Sequence, residues 1–232
     1  MNTRNTIHHL GLIMDGNGRW GEAQGKGRIS GYAQGAIALH NIIISAPLLG
    51  IRTIIAFAFS RDNWKRDVNE VETILSVITR FVRWSATVMI ENGIRFRWIG
   101  ETDKLPNSML TTLNSTSEIT KSGSKMTLCL CINYSARAEM AHAVKNAVLS
   151  PPISDKNLMS SVAKKLYWPE MPNIDLIIRT SGEKRLSDFC CWNSQYAKIH
   201  FTDTLWPDFS IEELSDIIKM YDSVSEDDSK IK

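Results

Sequence analysis

Six short apolar runs alternate with six stretches of helical periodicity along this chain, and that alternation limits what it can fold into. The runs lie near Leu10–Met14, Thr53–Phe59, Ile94–Ile99, Met126–Asn133, Ile174–Arg179 and Lys198–Phe201. Helical spacing of apolar residues covers Gly31–Leu48, Asn69–Glu91, Pro106–Thr120, Ala136–Val148, Asp155–Tyr167 and Ile211–Tyr221. Strands that are apolar on both sides need cover on both faces, and crossover helices supply it. The pattern predicts an α/β fold, a single domain with a central, mainly parallel six-stranded sheet flanked by helices. That domain is expected over residues 1–222, with a frayed acidic tail over 223–232. Ser150-Pro151-Pro152 breaks two helices but is too short for a domain linker.

In an open parallel sheet, ligands gather beyond the carboxyl ends of the strands. Asp15 ends the first run, Ser60 follows the second, Asn133 ends the fourth and Arg179 ends the fifth, so one shared cleft is expected. The segment Leu12–Trp20 reads L-I-M-D-G-N-G-R-W. Gly16 and Gly18 carry no Cβ, so backbone N–H groups there can approach an anion closely. Arg19 and Arg28 add fixed positive charge, and Asp15 places a carboxylate where a metal or a proton would be needed. The plainer reading of D-G-N-G is an ordinary strand-to-helix turn.

A second cluster is Ser60-Arg61-Asp62-Asn63-Trp64-Lys65-Arg66, with Glu70 one turn later. Asn63 donates or accepts, Trp64 offers a flat apolar face, and Arg66 can grip phosphate with a bidentate fork. Glu70 also stands at i,i+4 from Arg66, which is the spacing of a helical ion pair. The third cluster runs from Arg179 through Lys184 and Arg185 to Ser187, and it reads either as a solvated loop or as a second anion site. Because Arg179 directly follows I-D-L-I-I, a buried strand would deliver its guanidinium to the rim. Ile74, Val77, Ile78, Phe81 and Val82 form an apolar stripe that either packs as core or walls a channel leading from the cradles. Two phosphate cradles beside an apolar channel describe isoprenoid chemistry.

The net charge of +2 provides no basic field for nucleic acid, and no nucleic-acid partner is expected. Cys129/Cys131 and Cys190/Cys191 lack C-x-x-C spacing and suit buried thiols in a reducing compartment. No apolar leader and no run long enough to span a bilayer is read, so a cytoplasmic protein without an integral membrane segment is expected.

The segments I-M-D-G-N-G-R-W, A-F-S-R-D-N-W-K-R, I-R-T-S-G-E-K-R-L-S-D-F and F-T-D-T-L-W-P-D-F resemble, in order, the signature segments of cis-prenyltransferases such as undecaprenyl diphosphate synthase. The similarity runs from about His8 to Phe209. The resemblance implies a homodimer or related heterodimer that condenses isopentenyl diphosphate with an allylic prenyl diphosphate. It implies that Asp15 holds magnesium against a diphosphate, and that Gly16, Asn17, Gly18, Arg19 and Arg28 bind the allylic diphosphate with help from Arg66. It gives Asn63 a part in deprotonation, Trp64 a part in orienting substrate, and Arg179, Arg185 and Ser187 the isopentenyl diphosphate. Trp20, Tyr32, Ser60, Glu70, Lys184 and Lys198 complete the expected substrate-binding set.

The chain also departs from that family. Tyr32 stands where a histidine is usual, and Lys184 where a histidine follows the glutamate of T-G-G-E-H-R. Lys198, in Y-A-K-I-H-F, takes the place of a metal-binding glutamate in Y-A-E-L-Y-F. Tyr134-Ser135-Ala136-Arg137 replaces Y-G-G-R, and the arginine-rich ending R-x-R-R-F-G is replaced by Asp222–Lys232. Three readings of the lysines stand side by side: their charge replaces that of magnesium, Lys198 faces solvent, or activity has been lost. Three functions also stand: an ordinary cis-prenyltransferase, a divergent enzyme making a terpene, branched or cyclised product from an allylic diphosphate, and a non-catalytic partner subunit. Aromatic residues such as Trp84 and Trp98 are either packing or, under the second function, faces for a carbocation.

Overall fold

The computed structural model describes residues 7–149 and 158–228. Six strands form one sheet: β1 (His9–Ile13), β2 (Thr53–Ser60), β3 (Ile94–Ile99), β4 (Met126–Tyr134), β5 (Leu176–Arg179) and β6 (Lys198–Phe201). Their order is β3-β4-β2-β1-β5-β6, and every neighbouring pair is parallel. The helices are α1 (Asn17–Ala23), α2 (Arg28–Ser45), α3 (Val68–Glu91), α4 (Asn107–Ile119), α5 (Ala136–Val148), α6 (Leu158–Ala163) and α7 (Ile211–Asp228).

Side-chain alternation along the strands explains the two faces. Leu10, Leu12, Ile54, Ala56, Leu128 and Leu130 point into the larger core, which takes its helical share from α2, α3, α4 and α7. Ile13, Ile55, Cys129, Cys131 and Ile177 point the other way and pack on Tyr134, Trp168, Met171 and Phe189. The four cysteines are free thiols, and only Cys191 is exposed.

Several boundaries differ from the sequence reading, each for a local reason. Helix α1 carries two glycines in seven residues and is too short to show a period, so its sequence looked like loop. Helix α2 starts at Arg28 rather than Gly31 and closes in a 3₁₀ turn, Ala46–Leu49, that contains Pro47. Strand β5 begins at Leu176, because Asp175 is used differently: its Oδ2 accepts the backbone N–H of both His8 (2.8 Å) and His9 (2.7 Å). The helix expected from Asp155 starts outside the described residues, and α6 ends at Ala163, well before Tyr167. Helix α7 runs to Asp228, so part of the segment expected to fray is helical, and residues 229–232 lie outside the described ones.

By length and composition alone, Arg28–Leu49 (mean hydropathy 1.2) and Val68–Glu91 (1.3) are long and apolar enough to cross a membrane, contrary to the sequence reading. Both pack on the sheet, and their apolar character comes from the stripe each contributes to the larger core.

The carboxyl ends of β1 and β5 are tied by Thr180. Its hydroxyl accepts the Asp15 N–H at 2.9 Å and donates to the Asp15 carbonyl at 2.7 Å. Thr180 is buried. Replacing it with valine keeps the shape but removes two bonds to the Asp15 backbone, whose N–H and carbonyl keep the Ile13 carbonyl and the Trp206 N–H as partners, so the loss is about 0.5–1.5 kcal/mol. Urea unfolding of Thr180→Val is expected to show that loss, together with weaker substrate binding as Asp15 loses its anchor.

Candidate active site

A cleft of about 430 Å³ opens where β1, β2 and β5 end. Gly16 makes the turn out of β1 with φ +103°, a backbone conformation that a Cβ would strain, and Asn17 then starts α1. Gly18 leaves room for Arg28, since a Cβ there would lie 2.7 Å from the guanidinium. Arg19 is fixed by a 2.9 Å bond from Nη2 to the Ser181 carbonyl.

The core of the site is an ion pair. Arg179 Nη2 donates to Asp15 Oδ2 at 2.8 Å, with the arginine side chain 4% exposed and the aspartate 35%. Arg179 Nη1 donates to the Arg185 carbonyl (2.5 Å) and to Ser187 Oγ (2.7 Å), so one guanidinium shapes both the Asp15 carboxylate and the loop beyond β5. Its Nε is buried without a hydrogen-bond partner. Ser187 is held in the left-handed region (φ +51°), which turns the loop back over the cleft.

A second knot lies across the cleft. Glu70 Oε1 accepts from Arg66 Nη1 (2.8 Å), Arg28 Nη2 (3.2 Å) and the Tyr32 hydroxyl, and Arg66 Nη1 also donates to the Tyr32 oxygen at 2.8 Å. Burial alone would push the Glu70 carboxyl up, but the bonds from Tyr32, Arg66 and Arg28 outweigh it and hold Glu70 below its ordinary value. Tyr32 moves up through burial and its bond to Glu70, so it stays a donor. Arg28 is also raised, by its bonds to Glu22 and Glu70.

The 3₁₀ turn Arg61–Lys65 presents Asn63. The Ser60 N–H donates to Asn63 Oδ1 at 2.9 Å, while the Ser60 hydroxyl accepts the Asn63 N–H. Both residues line the cleft. From the floor, an apolar lobe runs between α2 and α3, sharing Met14, Asn17, Tyr32, Phe57, Ala58 and Ile74 with the polar cleft.

Asp15 could hold magnesium as a single protein ligand. Each carboxylate oxygen accepts one bond from the protein, from Gly16 N–H and from Arg179, and each keeps a further lone pair. No cluster of three metal-ligating side chains exists among the described residues. That donor set suits a cation held by one carboxylate together with substrate phosphates, rather than an all-protein cage.

The chain matches the prenyltransferase family model, that of undecaprenyl diphosphate synthases, over residues 13–227. The chain belongs to this family. It is a prenyltransferase of the cis-prenyltransferase type. It is 36% identical over 220 residues to an isoprenyl transferase of Chlorobaculum tepidum, covering 92% of this chain and 82% of that one. It is 39% identical over 207 residues to the trans,polycis-polyprenyl diphosphate synthase ((2Z,6E)-farnesyl diphosphate specific) of Thermobifida fusca, covering 87% and 73%. Its fold superposes on lavandulyl diphosphate synthase from Lavandula x intermedia, solved with dimethylallyl diphosphate, at a TM-score of 0.85 with 26% identity, covering 94% of this chain and 96% of that one.

Against the expected site of this prenyltransferase, the structure brings most residues together. Asp15, Gly16, Asn17, Gly18, Arg19, Arg28, Tyr32, Ser60, Asn63, Arg66, Arg179, Arg185 and Ser187 all line the cleft, and Glu70 ties three of them. Five others are placed elsewhere. Trp20 Nε1 donates to Asp208 (2.7 Å), on the outer side of α1. Trp64 packs edge-on against Phe59 and donates to Asn133 (2.8 Å), and Asn133 in turn holds the Glu101–Asp103 segment instead of facing the cleft. Lys184 is exposed on its loop, outside the cleft lining. Lys198 opens β6 at the amino end of a parallel strand, the opposite rim of the sheet from Arg179. Its ammonium donates to the Tyr221 carbonyl at 2.8 Å. Within this chain the two lysines therefore do not meet Asp15. Trp84 and Trp98 also lie outside, as does the remaining basic cluster, with Arg61 paired to Glu101 and Lys65 to Asp62. The sequence reading took Thr180 and Ser181 only as members of the third cluster; that the Thr180 hydroxyl and the Ser181 carbonyl hold Asp15 and Arg19 follows from the pairing of β1 with β5.

Removing Arg179 leaves an Asp15 carboxylate that is 35% exposed and partly hydrated, so the cost falls below the about 3–5 kcal/mol of a fully buried pair. Arg179→Met is expected to lose about 1–3 kcal/mol in urea titrations and to lose turnover. The lowered Glu70 value stabilises the fold above the ordinary glutamate range, and that contribution disappears as pH falls through the lowered value. Thermal melts of Glu70→Gln from about pH 7 to pH 3 are expected to show a shallower acid loss than the parent.

Proposed function

We propose that this enzyme joins isopentenyl diphosphate to an allylic diphosphate, and the observation that carries this is the convergence of Asp15, Arg28, Arg66, Arg179 and Arg185 on one cleft that opens into an apolar lobe. Gly16, Asn17, Gly18, Arg19, Arg28 and Arg66 hold the allylic diphosphate, while Arg179, Arg185 and Ser187 hold isopentenyl diphosphate. In the reaction the allylic carbon–oxygen bond breaks and the departing diphosphate keeps the electron pair. The double bond of isopentenyl diphosphate forms the new carbon–carbon bond, and a proton is lost from the adjacent carbon. Fixed cationic donors favour the charge that develops on the leaving group, and the apolar lobe keeps water from the allylic cation. Asn63 is no base at neutral pH, and its Oδ1 already accepts the Ser60 N–H. We assign it the orienting of the homoallylic substrate, so that the released diphosphate, a base in the same cleft, takes the proton.

Magnesium, held by Asp15 with the diphosphate oxygens, would add charge stabilisation at the leaving group. Because Lys184 and Lys198 lie outside the cleft of this protomer, charge replacement by lysine has no geometric support there. Turnover is expected to vanish in excess chelator and to return with added magnesium, and undiminished turnover in chelator would overturn the assignment. We further propose the homodimer that the family resemblance implies.

A second reading has one observation in its favour: the solved relative of TM-score 0.85 is a lavandulyl diphosphate synthase holding dimethylallyl diphosphate. Under it, this enzyme makes a branched, cyclised or hydrocarbon product from allylic diphosphate alone. Incubation with an allylic diphosphate, with and without isopentenyl diphosphate, separates the two. The condensation reading expects a product only when both are present, and a terpene formed from the allylic substrate alone would replace it.

A further inference from the structure

The loop beyond β5 is held from two sides. On the cleft side, Arg179 binds the Arg185 carbonyl and the Ser187 hydroxyl. On the far side, Asp188 joins the loop to the start of α5, the helix that follows β4. A helix begins with backbone N–H groups that have no partner within it. In α5 the Ala136 N–H donates to the Asp188 carbonyl at 3.0 Å, and the Arg137 N–H to Asp188 Oδ1 at 3.1 Å. The Ser135 hydroxyl donates to Asp188 Oδ2 and accepts the Ala138 N–H at 3.1 Å. Asp188 therefore takes bonds from three successive residues, and its carboxylate sits where the helix dipole favours negative charge. Ser135 stands where Y-G-G-R has a glycine, which would offer no hydroxyl.

The loop needs that hold. Ser187 and Asp188 both lie in the left-handed region, at φ +51° and +66°, and Cys190 follows at +39°. Residues with a Cβ enter that region at a cost and keep it only where their surroundings enforce it. Phe189, between them, is fully buried: its ring stacks on Phe57 at 5.3 Å and packs against Gly11, where a Cβ would lie 2.9 Å away. Phe189 thus fixes where the loop returns to the core, and Asp188 fixes the direction from which it arrives. Arg185 and Ser187, just before Asp188, are the loop residues that line the cleft. The allylic wall has its own tie, Glu70 on α3.

Resting on the condensation reading above, we propose that Asp188 is a positioning residue for isopentenyl diphosphate: clasped to Ser135 and the first turn of α5, it holds Arg185 and Ser187 at the spacing that grips the second diphosphate. Asp188 does not line the cleft and acts through those two residues. Losing the clasp frees the loop without touching Gly16, Arg28 or Arg66, so the damage falls on one substrate and spares the other.

Steady-state kinetics with each substrate varied in turn test this in the parent, Asp188→Ala, Asp188→Asn, Ser135→Ala and Ala143→Gly. Asp188→Ala is expected to raise the KM for isopentenyl diphosphate about tenfold, a change of about 1.4 kcal/mol, and to leave the KM for the allylic diphosphate at the parent value. Ser135→Ala should move in the same direction by less, and it carries the comparison if Asp188→Ala does not fold. Asp188→Asn keeps an acceptor for the Arg137 N–H and tolerates the left-handed backbone, so it should restore most of the parent KM. Ala143 is buried in the middle of α5, away from the clasp, and glycine there weakens the helix without touching the loop. Ala143→Gly should therefore match the parent in both KM values. An unchanged KM for isopentenyl diphosphate in Asp188→Ala and Ser135→Ala would overturn the proposal, and so would an equal rise for both substrates or the same rise in Ala143→Gly. Amide hydrogen exchange gives a readout independent of turnover, with residues 183–190 expected to exchange faster in Asp188→Ala and Ser135→Ala than in the parent. If the parent consumes no isopentenyl diphosphate, the condensation reading fails, while faster exchange there would still uphold the clasp and unchanged exchange would refute it.

Discussion

The pairing of Arg179 with Asp15 holds the architecture of the site together. The two residues, 164 apart in sequence, lie at the carboxyl ends of strands that are adjacent in the sheet, and their side chains meet at 2.8 Å. A charge as buried as Arg179 persists only when paired and hydrogen-bonded, and this guanidinium spends its remaining contacts on the Arg185 carbonyl and Ser187. The loop that reaches over the cleft is thereby registered to the carboxylate at its floor. Thr180 reinforces the same junction from below through two backbone bonds to Asp15. A cleft built on such a joint is preorganised before any ligand enters it.

Glu70 serves the opposite wall in a related way. A carboxylate in an anion-binding cleft looks misplaced, yet its single oxygen gathers Tyr32, Arg28 and Arg66 into one cluster. Without it, Arg66 would lose its ion-pair partner and Arg28 would keep only Glu22. Tyr32 takes part in this knot while its ring forms the mouth of the apolar lobe, which makes it the hinge point between the diphosphate chemistry and the space for the hydrocarbon. Its hydroxyl is fixed by both Arg66 and Glu70, so a residue that departs from the family pattern is tightly integrated into this wall.

Much of this was legible in the chain because strands and long helices advertise themselves by period. The alternation of Leu10/Leu12 with Gly11/Ile13, and of Cys129/Cys131 with Leu128/Leu130, reports the two faces of a doubly covered sheet directly. Glycine-rich turns next to arginines were equally visible. Short elements were not: α1 has too few residues for a period and contains two glycines, and the ends of α2 and β5 depend on Pro47 and on Asp175 serving as an acceptor for His8 and His9. Trp20 and Trp64 share segments with residues that line the cleft, but neighbours along a helix or turn point in different directions, and Lys198, expected in the site from the family resemblance, lies on a strand whose residues do not line the cleft. The direction of a side chain is settled by what packs against it, here Asp208, Phe59 and the Tyr221 carbonyl.

The amino-acid sequence alone determined the class of fold, the rim on which chemistry collects, and the charges available there, because these follow from periodicity and from which residue types end each strand. Tertiary structure decided which of those charges meet, since Asp15 finds Arg179 only through the pairing of β1 with β5. It also decided how far the apolar lobe extends, because the stripe on α3 reads the same whether it faces solid core or open space. The distance between α2 and α3, where Leu39, Ile42, Ile78 and Phe81 share one core, is a property of two helices packed together and is written in neither one.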